Sequence, residues 1–160
     1  PGIMEQEATY LLALQNLVEY RQLDEKLLGY TSENQLLLTF VPAEPVAFEG
    51  TEWSLMFLEE NDEAAPVMMG TTITATFAAG RISGSAGCNT YEAAYTLENQ
   101  ELTITDLTTT EVACETPDGI MAQEVMYLEN LASAKKLIQS SGLLQLLDAA
   151  DQTILAFGAP

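Results

Sequence analysis

Apolar and polar positions alternate with a period of two through the middle of the chain. Between residues 71 and 77, Ile73, Ala75 and Phe77 fall on one face and Thr72, Thr74 and Thr76 on the other, the pattern of a half-buried strand. Further strands are predicted over 52–58, over 82–85, over 91–97 where Tyr91, Ala93, Tyr95 and Leu97 alternate, around Leu102 and Ile104, and over 108–114. Gly80-Arg81 and Glu98-Asn99-Gln100 read as turns. The period then changes. Ile120, Tyr127, Leu128, Leu131, Ala134 and Ile138 share one helical face, with Thr116 and Pro117 at the start and Gly142 as the stop. Two strands, 143–147 and 153–157, follow around an Asp148-Ala149-Ala150-Asp151 turn. Six strands, a helix and a closing hairpin predict an α+β fold: a small curved antiparallel sheet or barrel with one helix packed on it.

The helix and hairpin occur twice. Gly2-Ile3-Met4-Glu5-Gln6-Glu7-Ala8-Thr9-Tyr10-Leu11 matches Gly119-Ile120-Met121-Ala122-Gln123-Glu124-Val125-Met126-Tyr127-Leu128, without a gap, 117 positions on. The register continues through Leu14 and Leu131, Leu27 and Leu144, Gln35 and Gln152, Leu38 and Leu155, and Phe40 and Phe157. In the first copy Ile3, Tyr10, Leu11, Leu14, Leu17 and Val18 make the helical stripe, and 27–30 and 35–40 the strands. A helix with one hairpin leaves an apolar face and open sheet edges, so it needs more chain to be stable. The second copy has its missing strands just upstream, and the first does not. Residues 1–41 are therefore read as the C-terminal third of a first domain, 42–49, with Pro42 and Pro45, as a linker, and 50–158 as a complete domain. An N-terminal companion fragment left by a cut in an exposed loop is expected to complete the first copy, with a swapped homodimer as the alternative.

Charge narrows the partners. Among 160 residues there are 24 acids, 5 bases and no histidine, for a net charge of −19. Nucleic acid is excluded as an expected partner, because phosphate binding needs clustered Lys and Arg. An anionic membrane surface is disfavoured for the same reason. No apolar run approaches the roughly 20 residues of a membrane span. The run Glu59-Glu60-Asn61-Asp62-Glu63 lacks the spacing of a calcium loop and reads as solvated. With no imidazole available a zinc site is not expected, and no cofactor is expected.

Three motifs in order carry a family resemblance: Gly50-Thr51-Glu52-Trp53-Ser54-Leu55; Arg81-Ile82-Ser83-Gly84-Ser85-Ala86-Gly87-Cys88-Asn89-Thr90-Tyr91; and Thr110-Glu111-Val112-Ala113-Cys114, followed by the helix with Glu124, Tyr127 and Leu128. Together they resemble the META domain, the domain of the heat-shock protein HslJ, over residues 50–157 and, through the repeat, 2–40. Val112 stands where that family often has Met, a conservative packing change. The resemblance implies a small α+β fold, frequently in secreted, periplasmic or lipoprotein chains with links to stress, and no known reaction.

The Gly84–Asn89 stretch invites a catalytic reading, with Ser85 or Cys88 as nucleophile. Either needs a base, and the chain offers only Lys26, Lys135 and Lys136 as amines. The structural reading is preferred: Gly84 and Gly87 permit a tight bend, and Asn89 bonds local backbone. Trp53 and Tyr91 are read as core aromatics. A disulfide between Cys88 and Cys114 is expected, stabilising by roughly 3 kcal/mol for a loop of about 27 residues, against buried free thiols. The carboxylate pairs Glu115 with Asp118 and Asp148 with Asp151 lie in turns and are set aside as glycosidase candidates. Met68 and Met69 fall in a segment after Pro66. The chain is thus expected to be no enzyme but a secreted, periplasmic or cell-surface binding module with an unknown protein partner. The second reading is a protease inhibitor that presents a loop around residues 59–69.

Overall fold

The computed structural model describes residues 2–42, 44–61 and 63–160. Pro1, Ala43 and Asp62, which belong to the first repeat, the linker and the acidic run above, lie outside the described residues. The chain forms two compact units, Pro1–Glu44 and Pro45–Pro160.

The larger unit is built from β4 to β12 and α2, the smaller from α1 and β1 to β3. In the larger, β4 (Glu52–Glu60), β5 (Glu63–Pro66), β6 (Thr74–Ala78), β7 (Arg81–Ser85), β8 (Thr90–Glu98) and β9 (Glu101–Thr109) precede α2 (Ile120–Ser133). Then come β10 (Lys136–Ser140), β11 (Leu143–Leu147) and β12 (Thr153–Gly158). Every pairing is antiparallel. The strands run β12-β11-β10-β9-β8-β7-β6-β4-β5, and β12 also pairs with β4, so the sheet closes on itself and β5 hangs outside as an arm of β4. Closure removes the open edges that an isolated sheet of this size would expose. The inward faces of the strands supply Trp53, Ile73, Phe77, Ile82, Tyr91, Leu144, Leu146, Leu155 and Phe157, all fully buried. The helix covers this core with Ile120, Gln123, Glu124, Tyr127 and Leu131, a stripe at helical spacing. Burial of Tyr127 and Leu131 contributes about 1.5–3 kcal/mol each.

The α+β class, the curved closed sheet and the packed helix are as the alternation predicts; several boundaries differ. The helix ends at Ser133 rather than at Gly142. Ala134 turns to an extended ψ of 136°, and the Lys135 and Leu137 amides are taken by Leu147 and Gln100 carbonyls, which draws 136–140 into the sheet as β10. Leu137, not Ile138, then faces the core. Thr116 does not cap the helix; Gly119 does, in the left-handed region at φ 90°. The strand expected over 108–114 stops at Thr109: the Thr110 amide still reaches Thr90 O, but past it the Val112 amide goes to the Asn89 side chain instead of a neighbouring strand. Residues 45–49 are no linker. Phe48 stacks at 4.9 Å on Phe77, its carbonyl accepts the Trp53 indole N–H, and the Val46 carbonyl accepts the Gln139 amide.

In the smaller unit α1 (Ile3–Gln15) is followed by β1 (Glu19–Leu23), β2 (Lys26–Tyr30) and β3 (Leu36–Phe40) in the order β1-β2-β3. Leu17 and Val18, expected on the helix, lie beyond its end, and β1 was not foreseen. The strands β1 and β2 sit 117 positions before β10 and β11 at both ends, and β3 starts 117 before β12. Details correspond as well. The register breaks at Gly29/Tyr30 in one unit and at Leu146/Leu147 in the other. Asn34 and Asp151 take positive φ of 61° and 64°. Thr31 N–H bonds Gln35 O as Asp148 N–H bonds Gln152 O, both at 2.9 Å.

Candidate functional site

The Gly84–Asn89 turn is a bend forced by contact. A Cβ on Gly84 would stand 2.0 Å from the Thr74 carbonyl oxygen, so only glycine lets β7 pass β6 this closely. Gly87 has φ 114°, a backbone that side-chain-bearing residues rarely adopt. Together they turn the chain so that Cys88 and Asn89 point their amides at α2.

Those amides end on one carboxylate. Glu124, 5% exposed, accepts the Asn89 N–H at 2.6 Å and the Cys88 N–H at 3.2 Å on Oε2, and the Asn89 side-chain amide at 2.7 Å on Oε1. Three donors surround it, as a buried carboxylate requires. Asn89 in turn receives the Thr110 hydroxyl and the Val112 N–H on Oδ1, both at 2.7 Å, and its Nδ2 also donates to Val112 O at 2.9 Å. One asparagine thus joins the turn, the helix and the segment after β9. A disulfide between Cys88 and Cys114 ties two of those pieces, the turn and the segment after β9.

Tyr91 and Tyr127 form a second buried link. Their hydroxyls lie 2.6 Å apart, and Tyr91 donates to Thr74 O at 2.9 Å. Burial pushes both phenols well above their ordinary range. Gln123 makes a third link: its Oε1 accepts Met68 N–H at 2.7 Å and its Nε2 donates to Thr71 Oγ1 at 3.1 Å. Every fully buried side-chain nitrogen and oxygen among the described residues has a hydrogen-bond partner.

The remaining candidates are dispersed. Ser85 Oγ accepts the Gly87 N–H, and the thiol of Cys88 is consumed in the disulfide. Trp53 is fully buried. Lys136 is ion-paired to Asp151, and Asp148 accepts the Ala150 and Gln152 amides of its own turn, so Asp148 and Asp151 hold a hairpin. Glu115 and Asp118 are exposed. Among the described residues no three thiol, imidazole or carboxylate groups converge on a metal-sized point.

The segment read as a loop over 59–69 is mostly a hairpin. Ala64, Ala65 and Pro66 pair with Glu59, Leu58 and Phe57, because β5 finishes β4's outer edge where β6 no longer covers it. The true loop is 67–73, and both sides of it are fixed. Met68 N–H is held by Gln123, while Thr71 returns its N–H and hydroxyl to Met68 O at 3.2 and 2.8 Å. Met69 between them is 95% exposed. A shallow cleft of about 150 Å³ runs beside it between the β4–β5 arm and α2, lined by Leu58, Pro66, Met68, Ala122 and Met126. Sequence reasoning missed this cleft, the phenol pair and the part played by Gln123.

The sequence model of one family, described as the META domain, matches residues 46–160. Similar solved structures include a protein from Burkholderia xenovorans determined by NMR, 27% identical, covering 77% of this chain and 92% of that one at a TM-score of 0.58. A second NMR structure is 24% identical over 71% of this chain and 95% of that one, at 0.52. A DUF4847 family protein from Bacteroides vulgatus, 17% identical over 69% and 93%, shares the fold at 0.51. No curated protein matches the chain.

Proposed function

The chain belongs to the META domain family, and on that footing we propose that it works as a non-enzymatic binding or interaction module outside the cytoplasm. One observation carries the proposal: the polar groups of the Gly84–Asn89 turn, the stretch that would have to hold a nucleophile, are committed to holding the fold. A nucleophile needs a free lone pair and a base within reach, and here Cys88 is disulfide-bonded and Ser85 has no histidine to activate it. The disulfide suits an oxidising compartment, and no helix of the described residues is long and apolar enough to cross a membrane. The partner is read as a protein with a basic surface, drawn by the net charge of −19. The oxidised full chain, incubated with a broad panel of ester, peptide and glycoside substrates, is expected to turn over none of them. Turnover that disappears in Ser85→Ala would overturn the reading.

A second reading, a protease inhibitor, is favoured by one feature. Met69 is a bare side chain on a loop whose backbone is pinned on both sides, and a pre-organised loop loses little entropy on entering a cleft. This moves the reactive position from the 59–69 span to the 67–73 loop. Micromolar protein that leaves serine, cysteine and metalloproteases uninhibited removes this reading.

A further inference from the structure

The smaller unit carries an apolar face whose counterpart in the larger unit is covered. Tyr10 is 44% exposed where Tyr127 is 0%, and Phe40 is 37% exposed where Phe157 is 0%. Ile3, Leu14 and Leu27 are exposed as well, where Ile120, Leu131 and Leu144 are buried. In the larger unit those positions are covered by the segment from β4 to β9 and its turn. The edges tell the same story. β10 pairs with β9 and β12 with β4, whereas β1 and β3 each pair only with β2 among the described residues.

Polar groups narrow the occupant beyond apolar character. Gln6, Glu7 and Tyr10 stand at the positions of Gln123, Glu124 and Tyr127. Those three hold the backbone of a loop, two amides and an asparagine of a glycine-flanked turn, and a tyrosine hydroxyl. In the other unit the carboxylate's place is 5% exposed and the tyrosine's 0%, and both are filled by hydrogen-bonded groups. We infer that residues 2–40 are the docking half of a second META domain, and that their occupant is an additional strand segment of the same kind as residues 46–118. It would bring a Gly-Cys-Asn-x-Tyr turn to Glu7 and Tyr10 and strand edges to β1 and β3. The segment 46–118 of a second copy is a poorer occupant: its own α2 and β10–β12 are already seated on it and covalently joined, so exchange gains no new contact.

The test supplies that segment to the full chain. A second 46–118 stretch is joined directly ahead of Gly2, which reproduces the junction between Asp118 and Gly119. Hydrogen exchange is then read by mass spectrometry over 2–40 and 119–158. The expected result is exchange across 2–40 slowed by about 100-fold or more relative to the chain without the addition, close to that of 119–158. Glu7→Ala in the extended protein is expected to reverse most of that protection. Glu5→Ala, whose counterpart Ala122 is exposed, is expected to leave it. Unchanged exchange over 2–40 overturns the inference, whether the added segment folds or stays open, as does equal protection in the Glu7 and Glu5 variants. Native mass spectrometry of the unextended chain is the second measurement: a dimer in which 2–40 is already protected would assign the face to a second copy instead.

Discussion

Replacing Glu124 by alanine removes the one acceptor on which the Cys88 amide, the Asn89 amide and the Asn89 side chain converge. None of the three can turn elsewhere. The two amides are fixed by the positive-φ bend at Gly87, and the Asn89 side chain cannot flip, because its oxygen already accepts Thr110 and Val112. A buried donor left without a partner costs about 1–3 kcal/mol. With a water in the vacated space satisfying one of them, the two that remain make the loss about 2–6 kcal/mol. Glu124→Gln keeps one oxygen but sets an NH₂ against a donor, and is expected to cost about 1.5–3 kcal/mol. The assay is urea unfolding of the oxidised chain followed by Trp53 fluorescence; this is the single tryptophan and it sits fully buried in the larger unit. For a slope of roughly 1.5 kcal/mol/M, the alanine midpoint falls by about 1.3–4 M while the slope is unchanged. An alanine variant within about 1 kcal/mol of the parent would refute the reasoning, since the three donors would then be finding solvent that the structure denies them.

Gly84→Ala places a methyl 2.0 Å from Thr74 O, and its urea midpoint is expected to drop by the equivalent of about 1–3 kcal/mol. Tyr95, raised to about 12 by burial and then by its bond to Glu49, binds its proton more tightly folded than unfolded. Its contribution to stability is full below the ordinary phenol value of 10 and is lost as pH rises through about 12. An alkaline titration at the phenolate absorbance should therefore show the larger unit's tyrosines ionising together with unfolding; smooth ionisation near pH 10 with Trp53 still buried would contradict it.

The strand faces were legible because alternation survives wherever one side of a sheet is buried: 91–97 reads correctly to within a residue at each end, and 71–77 has the right faces although β6 starts three residues later, at Thr74. Helix α2 was overrun because Leu137 and Ile138 are both apolar, so 134–138 satisfies either period. Only the capture of the Lys135 and Leu137 amides by neighbouring strands decides for β10. β5 was invisible, since Glu63-Ala64-Ala65-Pro66 has no strand-forming side chains and pairs only because β4 overhangs. Asn89 and the glycines could be assigned to a bend from residue type, but the carboxylate that receives the bend could not. A signal for it existed. Gln-Glu with Tyr three positions later recurs in both helices while their outward positions diverge, and that selective identity marks groups with partners.

The closing pair of strands also decides how the larger unit would meet a pulling force. Gly158 pairs with Ser54 and Leu155 with Leu58, so the start of β4 and the end of β12 lie side by side at one end of the sheet. Tension applied between the two flanks of this unit therefore pulls those strands apart crosswise, loading their hydrogen bonds one after another like the teeth of a zip rather than all at once. Unfolding under force is governed by the barrier to that first parting. The Cys88–Cys114 bond lies outside this seam, so while it is intact the chain between the two cysteines adds no length to the stretched molecule.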